Sequence, residues 1–146
     1  MLDRSAIAAM IPHGGAMCLL DQVTTWDATR ICCRSGTHRN TDNPLREDGR
    51  LHAACGIEYA AQAMAVHGGL TADTGRSRAG FLISLRDVTC ARGALDVLAG
   101  DLTVDVERMA ADSNTVLYAF RVAVGGVEMV AGRAVVRLDV DRSHAE

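Results

Sequence analysis

The sequence contains no lysine, and its 15 basic residues are all arginine. Acidic residues number 18, so the formal net charge is -3, and no run of arginine forms a basic stripe. A chain with this charge has no electrostatic basis for general affinity to nucleic acid.

Long apolar runs are also missing, because no segment approaches the roughly 20 apolar residues that a membrane span needs. The five cysteines lack CxxC spacing, which favours buried free thiols in a reducing compartment over a disulfide framework or a metal site. We therefore expect a cytoplasmic protein without a membrane segment. The 146 residues, nearly half of them apolar, predict a single globular domain over residues 1–146.

Hydrophobic periodicity predicts a short helix, two strands, a loop, a buried helix and four further strands. In chain order these are Asp3–Met10, Met17–Trp26, Thr29–Thr37, Gly36–Gly49, His52–His67, Gly80–Thr89, Val97–Glu107, Thr115–Val124 and Val127–Val140. Gly125-Gly126 predicts a two-residue hairpin turn between the last two strands.

The helix His52–His67 is apolar on nearly all of its faces, which is typical of a buried helix, and Gly68-Gly69 is expected to end it. A long buried helix with six antiparallel strands indicates an α+β domain of the hotdog arrangement, in which the sheet wraps around the helix. Such a domain leaves an apolar edge exposed, so we expect a homodimer or a heterodimer with a second hotdog chain.

Two polar side chains interrupt the buried helix, Glu58 near its start and Gln62 one turn later on the same face. A carboxyl group in an apolar setting is costly to ionise, which suits a general acid or base. Glu58 could equally cap the helix start or pair with an arginine at a dimer interface, and the sequence leaves both interpretations open.

Two segments resemble a known enzyme family. IPHGGAMCLLDQV, from Ile11 to Val23, resembles the opening signature of the FabZ-like 3-hydroxyacyl-carrier-protein dehydratases, and GIEYAAQAMAVHG, from Gly56 to Gly68, is similar to their central helix. The chain is most similar to the small dehydratase-like proteins found with aryl-polyene and related fatty-acid-type biosynthetic clusters. Outside these two segments the similarity is one of pattern only.

The resemblance implies reversible dehydration of a 3-hydroxyacyl thioester, held on an acyl carrier protein or coenzyme A, to the trans-2-enoyl thioester. By position, Glu58 handles the hydroxyl group and the amide of Gly56 donates to the thioester oxygen. Gln62 and His13 are candidates for the substrate side, and anchoring of the N-terminal helix is the favoured role of His13. No metal or cofactor is implied.

One departure from the family concerns its second catalytic group. The family's catalytic histidine is expected just over a dozen residues before the acidic residue, where this chain has Asn43-Pro44. Asparagine cannot act as a base near neutral pH, so Asn43 is expected to hold substrate or water, or to serve only as a turn residue. His52 could replace the missing histidine, although a solvated or capping histidine is the favoured interpretation.

Three hypotheses about function follow. The chain is a working dehydratase with a substitute group, a hotdog thioesterase in which Glu58 activates water, or a non-catalytic dehydratase-like subunit that binds acyl chains or pairs with an active hotdog partner. The two family signatures favour the first hypothesis, and the missing histidine favours the other two.

Overall fold

An antiparallel sheet and one long helix form the frame of the molecule. The computed structural model describes residues 1–11, 17–72 and 80–138, with residues 80 and 81 described by backbone alone. The elements are β1 (Leu2–Asp3), α1 (Arg4–Met10), β2 (Gln22–Trp26), β3 (Arg30–Ser35), α2 (Gly56–Thr71), β4 (Gly80–Cys90), β5 (Leu102–Ala111), β6 (Thr115–Val124) and β7 (Val127–Leu138), with 3-10 turns at Thr37–Arg39 and Ala53–Cys55.

The seven strands lie in the order β1-β2-β3-β5-β6-β7-β4, and α2 packs over β3, β5 and β6. This arrangement confirms the predicted α+β hotdog fold. The sheet has one strand more than the predicted six, because Leu2 and Asp3 pair with Val23 and Gln22 at the edge. The strand β4 forms the opposite edge, and among the described strands it pairs with β7 alone.

Alternation of apolar and polar residues determines which side of each strand faces α2. Along β5, Leu102, Val104 and Val106 are buried beneath the helix while the residues between them are only partly covered. The strand begins at Leu102 and not at the predicted Val97, since Asp96 turns toward the chain before α2. Its carboxylate accepts from the Leu51 amide at 2.9 Å.

Two glycine positions illustrate how close packing shapes the sheet. A Cβ atom on Gly56 would lie 2.7 Å from Cγ1 of Val130, so glycine lets the start of α2 approach β7. Gly132 lies opposite an irregularity in β4 at Asp87 and Val88, where its missing side chain leaves room for Val88. The irregularity therefore belongs to β4 and lies opposite Gly132.

The ends of two other elements follow from local chemistry. Gly125 and Gly126 both have positive φ, 57° and 80°, as the predicted two-residue hairpin turn requires. The predicted end of α2 at Gly68-Gly69 is wrong, because the helix continues to Thr71. The Thr71 hydroxyl donates to the His67 carbonyl at 2.8 Å, and Gly69 is buried, so packing outweighs the low helix propensity of glycine.

No helix in the described ranges is long and apolar enough to cross a membrane. Nor do residues 1–11, 17–72 and 80–138 hold a group of three or more histidine, cysteine, aspartate or glutamate side chains that could bind a metal ion.

Two fully buried histidines each use only one ring nitrogen. Nε2 of His38 donates to the Leu98 carbonyl at 3.0 Å, and Nε2 of His67 donates to the Asp27 carbonyl at 2.9 Å. Neither Nδ1 has a hydrogen-bond partner among the described residues. Burial lowers the pKa of both imidazoles, because the charged form would be desolvated.

This arrangement predicts a loss of stability in mild acid. A histidine whose pKa is lowered by folding stabilises the fold above its unfolded pKa of about 6.5. The free energy of unfolding should therefore fall as the pH drops from about 6.5 through the lowered folded pKa values. Urea unfolding between pH 7.5 and 5.5 measures this change.

His52→Gln, at an exposed histidine, is the control variant. A chain with both His38→Gln and His67→Gln should be less stable but should show a smaller slope against pH. An equal slope in parent and double variant would contradict the assignment.

Candidate active site

Glu58 lies in the first turn of α2 and its side chain is exposed in the single chain. The predicted burial of Glu58 is therefore wrong for one chain on its own. The side of α2 that faces the sheet is occupied by Gly56, Tyr59, Ala60 and Ala63, which are all buried. Glu58 points away from them and makes no hydrogen bond or ion pair within the described parts of the chain.

Glu58 belongs to a larger uncovered surface, which we call the open face. The helical part consists of the partly or fully exposed Ala54 of the 3-10 turn and Glu58, Ala61 and Ala65 of α2, which follow one another at successive turns. The β4 part consists of Leu82, Leu85 and Val88, whose exposed fractions are 41%, 41% and 38%.

The β4 residues of the open face project toward the helix side of the sheet. Leu85 pairs with the fully buried Ala134, and directly paired residues of antiparallel strands project to the same side. Helix α2 lies over the middle of the sheet, so nothing in the described ranges covers β4 on this side. The open face is thus an apolar surface with one carboxylate.

The opposite side of the sheet is charged, whereas the open face is apolar. Cross-strand ion pairs cover it, namely Arg30–Glu107, Arg34–Asp101, Arg121–Glu128 and Arg133–Asp87. A shallow depression of about 320 Å³ on this side is lined by polar residues such as Arg30 and Asp105 and by apolar residues such as Ala119 and Phe120. It contains none of the predicted site residues, and its paired charges are typical of a solvated surface.

Asn43 does not reach Glu58, because its side chain turns into the protein. Its Nδ2 donates to the Thr37 carbonyl at 2.9 Å and to the Tyr59 hydroxyl at 3.0 Å, while its Oδ1 accepts from the Leu45 amide at 2.9 Å. Both donor hydrogens and the carbonyl oxygen of the amide are therefore used within the chain. Asn43 is also not the solvent-facing turn residue of the alternative interpretation, since it is buried.

Asn43 is part of a buried polar network that reaches α2 through Tyr59. The Tyr59 hydroxyl lies 2.8 Å from Oγ1 of Thr37, whose hydroxyl donates to the Leu19 carbonyl at 2.7 Å. Burial raises the pKa of Tyr59, although its hydrogen bonds to Thr37 and Asn43 act in the opposite direction. The network ties the loop before α2, the end of β3 and the segment at Leu19 to one helical position.

Gln62 makes a second connection between α2 and the segment before β2. Its Oε1 accepts from the Leu19 amide at 2.8 Å, and its Nε2 donates to the Met17 carbonyl. The side-chain amide of Gln62 thus binds the backbone at two points. The sequence predicted a contact to substrate for Gln62, but both ends of its amide are hydrogen-bonded within the chain.

The amide of Gly56 is also already occupied. The 3-10 turn Ala53–Cys55 runs directly into α2, and the Gly56 amide donates to the Ala53 carbonyl. The helical run therefore starts at Ala53, whose amide donates to the Gly93 carbonyl at 3.2 Å. The Ala54 amide has no backbone acceptor in the described ranges, and Ala54 is four residues before Glu58 on the same face.

Of the two histidines proposed from the sequence, the structure describes His52 and not His13. His52 is exposed beside the 3-10 turn, pairs by backbone with Ala94 and caps no amide through its side chain. His13 lies outside the described residues.

Sequence reasoning missed two residues, Tyr59 and Ala54. The Tyr59 hydroxyl connects α2 to Asn43, and a polar aromatic in an otherwise apolar helix was the available signal. The Ala54 amide, which has no backbone acceptor in the described ranges, lies in the 3-10 turn, and no residue pattern indicated that turn.

The contacts of Asn43 predict that Asn43→His will not create dehydratase activity. Imidazole cannot reproduce the three hydrogen bonds of the amide, so we expect a loss of about 1–3 kcal/mol in the free energy of unfolding, as for other buried groups left without partners. Asn43→Asp, which keeps the acceptor for Leu45, is the matched comparison in urea unfolding. A stable Asn43→His protein with faster enoyl formation would contradict this account.

Comparison with known proteins places this geometry in a family. The chain resembles three solved hotdog-type structures. The ApeI:P dehydratase heterocomplex from Xenorhabdus doucetiae matches with a TM-score of 0.78 and 22% identity, over 97% of this chain and 93% of that one. Zebrafish thioesterase superfamily member 2 matches with a TM-score of 0.65 and 12% identity, over 95% and 100%.

A hypothetical thioesterase with coenzyme A from Streptococcus pneumoniae matches with a TM-score of 0.57 and 11% identity, over 81% and 84%. At these identities the structures establish the fold alone. No curated protein matches the chain. The profile of the ApeP-like family, described as ApeP dehydratase, matches residues 5–142. This match covers nearly the whole sequence, and the chain therefore belongs to the ApeP-like dehydratase family.

Proposed function

We propose that this chain is a dehydratase subunit that takes part in converting 3-hydroxyacyl thioesters to trans-2-enoyl thioesters, with Glu58 as the group that acts on the departing hydroxyl. The observation that carries the proposal is the position of Glu58, a carboxylate at the start of α2 on an otherwise apolar open face. Membership of the ApeP-like dehydratase family supports the reaction type.

The start of α2 also offers a group for the thioester carbonyl. Loss of the α proton places negative charge on that oxygen, and a backbone amide at a helix start stabilises such charge. The Ala54 amide, which has no backbone acceptor among the described residues, replaces the Gly56 amide in our assignment. Since Ala54 and Glu58 share one face, a thioester held at Ala54 would place its acyl carbons along the face that Glu58 occupies.

A second candidate function is thioester hydrolysis. The same two groups meet its needs, because Glu58 could activate a water molecule while the Ala54 amide holds the carbonyl. The specific observation that favours this alternative is the inward-facing amide of Asn43 at the position where the family's histidine is expected, because hydrolysis does not require that second base.

We propose that a second hotdog chain covers the open face. Three apolar side chains of an edge strand are exposed there, whereas the other side of the sheet carries matched ion pairs. The heterocomplex reported for ApeI:P supports an unlike partner. Covering this face would also bury Glu58 and exclude water from the reaction.

The substrate carrier and the cellular compartment are proposals of the same kind. We infer an acyl group on a carrier protein or coenzyme A, and a neighbour in the fold is described with coenzyme A. The five cysteines are free thiols, which fits a reducing cytoplasm.

Enzyme assays distinguish the two reactions. Incubation with 3-hydroxyacyl and saturated acyl thioesters, alone and with a hotdog subunit such as ApeI, should produce enoyl absorbance without release of free thiol. Release of thiol from both substrates would instead establish hydrolysis.

Replacement of Glu58 tests its role directly. Glu58→Gln should lower the rate of enoyl formation at least ~100-fold, the lower range for a general acid or base, and should leave the unfolding transition unchanged. Glu128→Gln, which removes a carboxylate from the charged side of the sheet, is the control and should retain the parent rate. Full turnover by Glu58→Gln would refute the assignment.

The proposal that a second chain covers the open face predicts how substitutions there affect oligomer formation. Leu85→Asp should disrupt oligomers by placing a charge in a buried apolar contact, whereas Ala119→Asp on the charged side should not. Light scattering or sedimentation at micromolar concentration measures the difference. A parent chain that stays monomeric alone and with every hotdog subunit tried would contradict a covered open face.

A further inference from the structure

Two side chains of α2 are attached to the backbone of a single residue, Leu19, in the segment before β2. Oε1 of Gln62 accepts from the Leu19 amide at 2.8 Å, and the Leu19 carbonyl accepts from the Thr37 hydroxyl at 2.7 Å. Oγ1 of Thr37 in turn lies 2.8 Å from the Tyr59 hydroxyl. Since Tyr59 and Gln62 are three residues apart, both attachments lie on one side of the helix.

The hydrogen bonds around Tyr59 run in one direction. Thr37 uses its single hydroxyl hydrogen on the Leu19 carbonyl, so Tyr59 is the donor in the contact between Tyr59 and Thr37. The Tyr59 oxygen accepts from Nδ2 of Asn43 at 3.0 Å. Thr37, Asn43 and Tyr59 are all buried, and a buried network with its partners satisfied specifies one arrangement. The network therefore fixes Tyr59 relative to Leu19.

Apolar packing gives α2 little preference for one rotation about its axis, because the helix is apolar on nearly every side. Gly56 packs closely against Val130, but this contact contains no directional bond. His67 attaches the helix to the Asp27 carbonyl two turns after Tyr59. Tyr59 therefore provides a directional attachment in the part of α2 that carries the candidate catalytic carboxylate.

The position of Glu58 depends on this rotation. Its side chain makes no hydrogen bond or ion pair within the described ranges, so its position follows the backbone of α2. The tip of a helical side chain lies about 5–6 Å from the helix axis, so a rotation of about 10° moves it by about 1 Å. A displacement of about 1 Å can lower a rate ~100-fold, since a general acid acts only within hydrogen-bond reach.

We propose that Tyr59 is a positioning residue for Glu58, because its buried hydroxyl, held by Thr37 and Asn43, fixes the rotation of α2 that presents the carboxylate. The proposal rests on the proposed dehydratase function. Tyr59 faces the sheet and Glu58 faces away from it, so Tyr59 acts without touching the substrate. Loss of the hydroxyl should therefore impair proton transfer more than substrate binding.

Tyr59→Phe tests the proposal, since it removes the hydroxyl and keeps the ring. Values of kcat and KM are measured for enoyl formation from a 3-hydroxyacyl-coenzyme A, with the chain alone and with a hotdog subunit such as ApeI. We expect kcat to fall ~10–100-fold and KM to change less than ~2-fold, because proton transfer is the step most sensitive to a displacement of about 1 Å. Thr37→Val, which removes the acceptor of the Tyr59 hydroxyl, should produce the same change.

Two control variants separate positioning from a general loss of stability. Tyr118→Phe removes the hydroxyl of the second tyrosine, which is buried on β6 and makes no hydrogen bond within the described ranges. Val116→Ala opens a cavity near the start of β6 and weakens the fold without changing a polar group. Both should retain the parent kcat. An equal fall of kcat in Val116→Ala would overturn the proposal, because any weakening of the fold would then lower the rate.

Hydrogen exchange supplies a measurement that does not depend on turnover. Backbone amides of residues 57–62 should exchange faster in Tyr59→Phe than in the parent or in Tyr118→Phe, because the helix has lost an attachment there. Unchanged exchange, or a kcat of Tyr59→Phe equal to that of the parent, would overturn the proposal. Faster exchange with a parent that forms no enoyl product under either condition would show that the proposed dehydratase function is wrong and that Tyr59 serves the fold alone.

Discussion

The rotational position of α2 on the sheet is the constraint on which the rest of the structure depends. A helix that is apolar on nearly every side has no strong hydrophobic preference for one side over another. Two specific contacts fix its rotation. Gly56 allows a close approach to Val130, and the Tyr59 hydroxyl is held by Thr37 and Asn43. With these contacts formed, Glu58 can only face outward.

The same rotation gives the molecule two chemically different sides. Charged residues of the sheet pair with one another on the side away from α2, so that surface is stable in water. On the helix side the apolar residues of β4 and the alanines of α2 remain uncovered around one carboxylate. An uncovered apolar surface of this kind favours association. The candidate site and the candidate interface are consequently the same surface.

The loop at Asn43 shows how one residue can change the role of a segment. The resemblance implies that a loop at this position presents a base to the site. In this chain the side-chain amide satisfies three partners inside the protein, so the loop stabilises α2. Gln62 adds a similar contact to the backbone at Met17 and Leu19. Polar residues near the site thus hold the helix that carries Glu58.

The predictable parts of the structure are those with local periodicity. Strand β6 begins and ends where alternation predicted, and the glycine pair after it forms the predicted turn, because pleat and turn geometry depend on neighbouring residues. The predicted start of β5 and the predicted end of α2 were both wrong. Asp96 and Thr71 decide them through hydrogen bonds, one of which reaches 45 residues along the chain.

The sequence by itself determined the hotdog arrangement, the family and the presence of one carboxylate on the apolar helix, because periodicity and short motifs are properties of neighbouring residues. Only the tertiary structure decided where each polar group points. It turned Asn43 inward, occupied the Gly56 amide, left the Ala54 amide without a backbone acceptor among the described residues and exposed Glu58. The reason is that hydrogen-bond partners and burial depend on segments distant in sequence, which meet only when the helix packs on the sheet.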